Sequence, residues 1–489
     1  MGRAVSARDY DLAVVGAGAA GLTAAGTAAA LGAKTVLVEA ARFGGDCTWH
    51  GCVPSKTLLR AAAAAAEARA AWRFGIDASP QIDGVRVMAR VRAIRERIYA
   101  DADAPNVLAR YGIETLRARA RFLDPHTLEL DGDGPQFVTA RRFVIATGSR
   151  PRALDLGIRT VDSDAVWDLE TVPARILIVG GGPNAIEIAQ AFRRLGAEVT
   201  VVSSEARVLA RDDAAAAAVV ARALRDEGVV IHDACRIVAA REDGGTVEAR
   251  LTNGTSVTAE LVVGAIGRVA NVEGFGLDRA GVAVRDGIVT IDARGRTHAH
   301  HIYAAGDCAT TARFTHVAER MAVVAATNAI VGYPLRFDPA SVTWTTFTDP
   351  ELAQVGPTED ELRRTRRRYR TMSFPHAALD RAIVDDATAG FVKIATDARG
   401  RVLGGTIVGP RAGELIASIA LARARRLPVA AIANTMHVYP SYAMGVRRAA
   451  DTALIRTRTA LALALLRVVR RLRGTPPPLD ALLPQQPTM

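Results

Sequence analysis

One local pattern constrains this chain more than any other. A short apolar strand at 11–15 runs directly into Gly16-Ala17-Gly18-Ala19-Ala20-Gly21, and an Ala-rich helix follows to about residue 31. A second strand, 35–38, then closes on Glu39, eighteen residues past Gly21. An apolar run bounded by glycine marks a strand buried on both faces of a parallel sheet. Gly16, Gly18 and Gly21 permit a tight turn and let backbone N–H groups approach a pyrophosphate at the helix N-terminus. Glu39 is placed to accept ribose hydroxyls. The stretch predicts an α/β dinucleotide-binding fold.

The pattern occurs twice. Residues 175–179 enter Gly180-Gly181-Gly182, followed by a helix at 186–195 and a strand at 198–202. This second strand ends in Ser203-Ser204 instead of an acid. Both hydroxyls donate hydrogen bonds, and Arg207 is near enough in sequence to meet a phosphate charge, which favours NADPH. Glu205 speaks for NADH, because an acid there repels a 2′-phosphate. Gly267-Arg268 closes this second fold, and Thr147-Gly148 ends another strand in a glycine turn. At 302–307 a further strand ends in Gly306-Asp307, an acid suited to a polyol hydroxyl chain.

Between the two patterns stands Gly44-Gly45-Asp46-Cys47-Thr48-Trp49-His50-Gly51-Cys52-Val53-Pro54-Ser55-Lys56. A helix beginning near Cys47 would bring both sulfurs within about one and a half turns, with its N-terminal charge favouring a thiolate. Redox chemistry competes here with two buried structural thiols or half of a zinc site. Zinc pairs show two to four intervening residues and a second pair elsewhere. Cys235 and Cys308 are single and distant, so no metal site is expected.

Composition excludes other classes. Four cysteines in 489 residues are too few for a disulfide scaffold and suit a reducing cytoplasm. No secretory signal and no membrane span are expected, because neither apolar run is present. The net charge of +11 is scattered arginine without interleaved stacking aromatics, so no specific nucleic-acid partner is expected. Leu461, Leu465, Val468 and Leu472 fall at helical spacing among arginines in a basic helical extension. That helix would pack on its own protein or lie on an anionic membrane surface. The boundaries expected are 1–150 with 272–335, 151–271, 336–450, and an extension with a disordered tail at 451–489.

Together these residues resemble the two-nucleotide flavin disulfide reductases, a family that includes dihydrolipoamide dehydrogenase, glutathione reductase and mercuric reductase. The resemblance covers roughly 9–450 and extends to Phe347-Thr348-Asp349-Pro350-Glu351. It implies two glutathione-reductase-type, Rossmann-like α/β domains and an α+β C-terminal domain that makes a homodimer. FAD would occupy the first site, framed by Gly45 as well, and NADPH or NADH the second. Cys47 would be the interchange thiol and Cys52 the charge-transfer thiol. Lys56 and Glu187 match the ion pair beside flavin and nicotinamide, and Asp307 the flavin-ribityl acid.

The departures bear on substrate. Disulfide-reducing members carry a His with a Glu five residues later as acid/base for the partner's interchange thiol. Here Tyr439 and Met444 occupy those positions, with His437 as a nearby substitute or a structural residue. A phenol with a pKa near 10 is a poor base at neutral pH. Trp49-His50 and Tyr439-Pro440 look more like mercuric-reductase-like members, although the sequence ends in Gln486-Pro487-Thr488-Met489 without a cysteine pair. Pro183 replaces an aromatic gate over the nicotinamide pocket. The expectation is an NAD(P)H oxidoreductase passing electrons through FAD and a Cys47–Cys52 disulfide to a small-molecule or metal-ion acceptor. The alternatives are a dihydrolipoamide dehydrogenase with an atypical acid/base and a redox sensor without turnover.

Overall fold

A computed structural model describes residues 9–366 and 368–454, with only 465, 466 and 468 beyond them. The basic helix expected over 451–473 therefore lies largely outside the described residues. The chain forms two compact units, one up to Gly356 and one from Pro357. Among the described residues no helix is long and apolar enough to cross a membrane.

In the first unit, β1 (Tyr10–Val15) lies in a parallel sheet between β2 (Thr35–Glu39) and β5 (Phe137–Ile145). Beyond β2 runs β3 (Ile113–Asp124), and beyond β5 the strand Ile302–Ala304. Leu12, Val14, Val36, Leu37 and Val144 have no exposed surface, as continuous apolar runs in a two-sided sheet require. Helix α1 (Ala19–Ala30) packs here through Ala24, Ala25 and Ala28, whose small side chains let the backbone come close. The ends of β3 and β5 leave the parallel sheet and join β4 (Thr127–Gly132) in an antiparallel meander. In β3, Ala118, Ala120 and Phe122 are buried while Arg117, Arg119 and Arg121 face out, the alternation of a half-buried strand.

A second parallel sheet runs Val230–His232, Glu198–Val202, Arg175–Val179, Leu261–Gly264, Val161–Asp162. Helix Pro183–Arg194 follows its glycine turn, and a three-stranded antiparallel sheet covers 237–259. A hairpin of Thr343–Thr346 and Glu351–Val355 completes the unit. The unit holds two α/β dinucleotide folds, as the repeated pattern requires.

The second unit pairs Arg370–Pro375, Phe391–Thr396 and Val402–Gly409 antiparallel and carries helices Ala412–Ala424 and Val429–Asn434. It is α+β.

The thiol segment departs from the single helix expected. A short helix, α2 (Gly45–Trp49), stops at His50, and α3 (Cys52–Ala70) starts afresh after Gly51. The cause is backbone geometry: His50 and Gly51 leave the helical region, and Gly51 sits at φ −112°, ψ −108°. Cys47 therefore lies inside the first helix. Cys52 alone takes the N-terminal position of α3, where the helix dipole favours a thiolate.

Candidate active site

The first glycine loop is braced on all sides. Gly16 has φ +99°, and a Cβ there would strike the Ala146 carbonyl, so only glycine fits. Gly45, at φ +57°, brings the thiol segment so close that a Cβ would strike Gly18 Cα. Two expected site residues, Gly18 and Gly45, are thus in backbone contact. Glu39 accepts from the backbone N–H of Ala17 at 2.7 Å and of Ala41 at 2.8 Å. A carboxylate has further lone pairs for a ribose hydroxyl. Helix α1 starts at Gly18 without a side-chain cap, and helix Pro183–Arg194 starts at Gly182 in the same way. A Cβ on Gly18 would meet only Gly45, at 3.8 Å, and one on Gly182 would meet nothing within 4 Å. Open space over two uncapped N-termini fits two pyrophosphates, one for FAD and one for NAD(P)H.

Asp307 follows the strand Ile302–Ala304 and Gly306, and its carboxylate accepts from the Ser149 hydroxyl at 2.6 Å. Arg268 then spans the site. It donates to Ser149 Oγ at 2.8 Å, Asp164 at 2.7 Å and Asp46 at 2.9 Å. Burial pushes the Asp46 carboxyl up to about 7, against the opposing pull of Arg268. Asp46, His50 and Asp164 bring ligand atoms within 4.8 Å of one another, but Arg268 already bonds both carboxylates, so the group reads as an ion-pair network. Thr147 donates its hydroxyl to the Asn271 carbonyl at 2.6 Å, which leaves Gly148, at φ +68°, as the turn residue beside it. Gly267 turns at φ +104° just ahead of Arg268.

Cys47 is half-buried and Cys52 exposed, both as free thiols. Hydrogen bonding from Cys47 is the first cause that holds the Cys52 thiol down at about 6, and Thr315 and the Lys56 charge add to it. The same bond to Cys52, with burial, pushes Cys47 well above the ordinary thiol range. Cys52 Sγ lies 3.4 Å from Thr315 Oγ1. Lys56 Nζ meets Glu187 Oε2 at 2.8 Å and stands 4.4 Å from the centre of the Phe347 ring. Glu187 is buried and also accepts from the Phe347 N–H at 2.8 Å. These bonds bring three expected residues, Cys52, Lys56 and Glu187, into one neighbourhood of the first unit.

Other expected residues fall differently. The Arg207 guanidinium is spent on the carbonyls of Val208, Leu209, Ala210 and Asp212, so it is not the free phosphate partner its sequence position suggested. Ser203 is buried and its hydroxyl accepts from the Glu205 N–H, whereas Ser204 is exposed. Tyr439, in the second unit, is exposed and hydrogen-bonds Asp380, which raises its pKa further. His437 is exposed and uses Nδ1 on the Thr435 carbonyl. Sequence reasoning missed Thr315, Arg268 as a bridge, and Asp380. Only Arg268 carried a local signal, from its place after Gly267.

Comparison with known proteins agrees with this geometry. Residues 10–322 match the family described as pyridine nucleotide-disulphide oxidoreductase, and residues 342–450 match its dimerisation domain. A dihydrolipoyl dehydrogenase of Thermus scotoductus is 34% identical, over 91% of this chain and 97% of its own. A mercuric reductase of Streptomyces lividans is 35% identical, over 91% and 96%. The crystal structure of LpdA from Mycobacterium tuberculosis, 30% identical, superposes with a TM-score of 0.84 over 90% of this chain and 99% of that one. By these matches over most of its length, the chain belongs to the pyridine nucleotide-disulphide oxidoreductases, enzymes that use FAD and NAD(P)H.

Proposed function

We propose that the protein moves two reducing equivalents from NAD(P)H to the Cys47–Cys52 pair, and from there to an acceptor met by Cys47. The acceptor is a thiolate-binding metal ion such as Hg(II). The observation that carries this reading is the setting of Cys52, exposed at the N-terminus of α3 and 3.4 Å from the Thr315 hydroxyl, where the helix dipole and the Lys56 charge favour its thiolate. FAD, when bound, supplies hydride acceptance from the nicotinamide and electron transfer to the disulfide.

The residues divide the remaining work. Gly16, Gly18, Gly21, Glu39, Gly45, Gly306 and Asp307 hold the flavin dinucleotide, and Gly180 and Gly182 hold the pyridine nucleotide. Lys56, fixed by Glu187, places a positive charge near Cys52 and favours its thiolate. Cys52 gains the same sign of stabilisation from the N-terminus of α3 and from Thr315. Oxidation of the pair, with Cys52 as thiolate and Cys47 as thiol, forms the S–S bond, releases one proton and delivers two electrons to the acceptor.

The metal acceptor is supported by what stands at the family's acid/base position. Tyr439 donates a hydrogen bond to Asp380 and has its pKa raised, so even less of it is ionised and able to take a proton at neutral pH than of a free phenol. Met444 is buried and carries no proton. A disulfide acceptor needs a group that protonates its leaving thiolate, whereas a soft metal ion held by thiolates does not. The 35% identity to a mercuric reductase supports the same choice. Dihydrolipoamide is the second reading, favoured by the relatives of that name. The dimerisation-domain match supports a homodimer.

The test is anaerobic reduction by NADH and NADPH, followed by turnover with Hg(II), lipoamide, glutathione disulfide and quinones. Hg(II)-dependent oxidation of NAD(P)H, lost in both Cys47→Ser and Cys52→Ser, is expected. Robust NAD+-linked oxidation of dihydrolipoamide that Tyr439→Phe abolishes would overturn the metal reading.

A further inference from the structure

The first two strands of each dinucleotide fold pair in the same register, and that register shows which residue stands in place of the ribose-binding acid. In the first fold Val15 pairs with Val38, and the next residue is Glu39. In the second Val179 pairs with Val202, and the next residue is Ser203. The side chains confirm the equivalence. Glu39 takes the N–H of Ala17, the middle residue of its glycine turn. Ser203 Oγ sits so close to Gly181, the matching middle residue, that a Cβ there would strike it.

The chain beyond Ser203 is laced back onto the same turn. Leu209 N donates to the Gly181 carbonyl at 2.8 Å, and Ser203 accepts from the Glu205 N–H at 3.3 Å. Arg207 holds that loop closed, donating to Leu209 at 2.5 Å, Asp212 at 2.6 Å, Ala210 at 3.1 Å and Val208 at 3.4 Å. Turning this guanidinium to a ligand would take the donor from the carbonyls of Val208, Ala210 and Asp212, while the Leu209 carbonyl would keep the Asp212 N–H. The next charge along the loop, Arg211, is exposed, and Asp233, after the strand Val230–His232, takes the Val208 N–H and pairs with Arg225 at 2.8 Å. The groups left exposed just past the strand end are the Ser204 hydroxyl and the Glu205 carboxylate.

We infer that the second fold selects NADH over NADPH, with Glu205 as the residue that discriminates and Arg207 as the loop's structural brace. A 2′-phosphate brought to this strand end meets the Glu205 carboxylate, while the cation nearest to it along the loop, Arg207, is held on its carbonyls and the exposed Arg211 follows four residues further on; a 2′-hydroxyl can bond Ser204 or Glu205. Sequence position alone suggested the opposite, because it counted Arg207 as free.

The experiment is calorimetric binding of ADP-ribose and 2′-phospho-ADP-ribose to the FAD-loaded protein, alongside the rate of flavin reduction by NADH and NADPH. ADP-ribose is expected to bind about tenfold more tightly or better, a difference of about 1.4 kcal/mol. Glu205→Arg should bring the two ligands level or reverse them. Arg207→Ala should lower the melting temperature and weaken both ligands by a similar factor. Tighter binding of the phosphorylated ligand overturns the inference, and so does an Arg207→Ala variant that loses that ligand alone. Binding of neither ligand overturns it as well, and would take with it the assignment of the second fold to a pyridine nucleotide.

Discussion

Lys56 and Glu187, 131 positions apart, meet at 2.8 Å, joining the helix that begins at Cys52 to the helix of the second dinucleotide fold. The pair is asymmetric. Glu187 is almost wholly buried, while the Lys56 side chain is about a third exposed, at 36%. Lys56→Met therefore leaves a buried carboxylate supported only by the Phe347 N–H, and should destabilise the first unit by about 2 kcal/mol. Glu187→Gln keeps a hydrogen-bonding group and should cost less. Urea unfolding of the two variants checks the order, and equal losses would refute the asymmetry.

Cys52 should ionise near pH 6, before any other cysteine. In the reduced protein, alkylation by iodoacetamide should rise through that pH and level off above it. Thr315→Val removes the hydroxyl at 3.4 Å and should move the midpoint upward by roughly half a unit to one unit, the worth of one hydrogen bond to a charged group. Lys56→Met should move it in the same direction, because the lost charge favoured the thiolate. A midpoint unchanged in both variants would mean that Cys47 alone sets it.

Most of the fold was legible because glycine and apolar strands carry strong local signals. Gly16 and Gly180 mark turns that a side chain would obstruct, and the strands beside them are apolar throughout. The ion pair of Lys56 with Glu187 was legible only through the resemblance, since nothing local links residues so far apart. Arg207 misled because spacing gives reach but not prior commitment: its four carbonyl partners are visible only in three dimensions. The break between Cys47 and Cys52 was missed for a similar reason, although Gly51 was in plain view. Asp380 and Thr315 come from distant segments, and no periodicity brings them to Tyr439 or Cys52.

His376 should make the second unit acid-sensitive. Its ring is fully buried, neither nitrogen has a partner among the described residues, and burial lowers its pKa from 6.5 to about 4. The unfolded chain thus binds a proton that the folded one refuses. Stability is complete above pH 6.5 and falls as pH drops toward 4, by about 3 kcal/mol in all. Denaturant titrations at several pH values should follow that slope. His376→Met, which cannot titrate, should flatten it; a slope unchanged in this variant would assign the acid sensitivity to other groups.

Tyr439 and Met444 give the sharpest test of acceptor choice. If the protein is poor at thiol exchange because it lacks a base, then Tyr439→His with Met444→Glu should supply one. General-base catalysis contributes about 10² to 10⁴-fold, so dihydrolipoamide oxidation should rise by about 10²-fold in the double variant. Tyr439→His alone should rise less, because an imidazole without a carboxylate is less well oriented. Met444 is buried, so a glutamate there is stable only if it finds the imidazole as partner, and Met444→Glu alone should lower the melting temperature. Hg(II)-dependent oxidation of NAD(P)H should persist in Tyr439→Phe within about twofold, since a residue that acts through proton transfer contributes its factor only where a proton must move. Loss of Hg(II) turnover in Tyr439→Phe, with folding and flavin reduction intact, would make the phenol part of the acceptor chemistry and reverse this assignment.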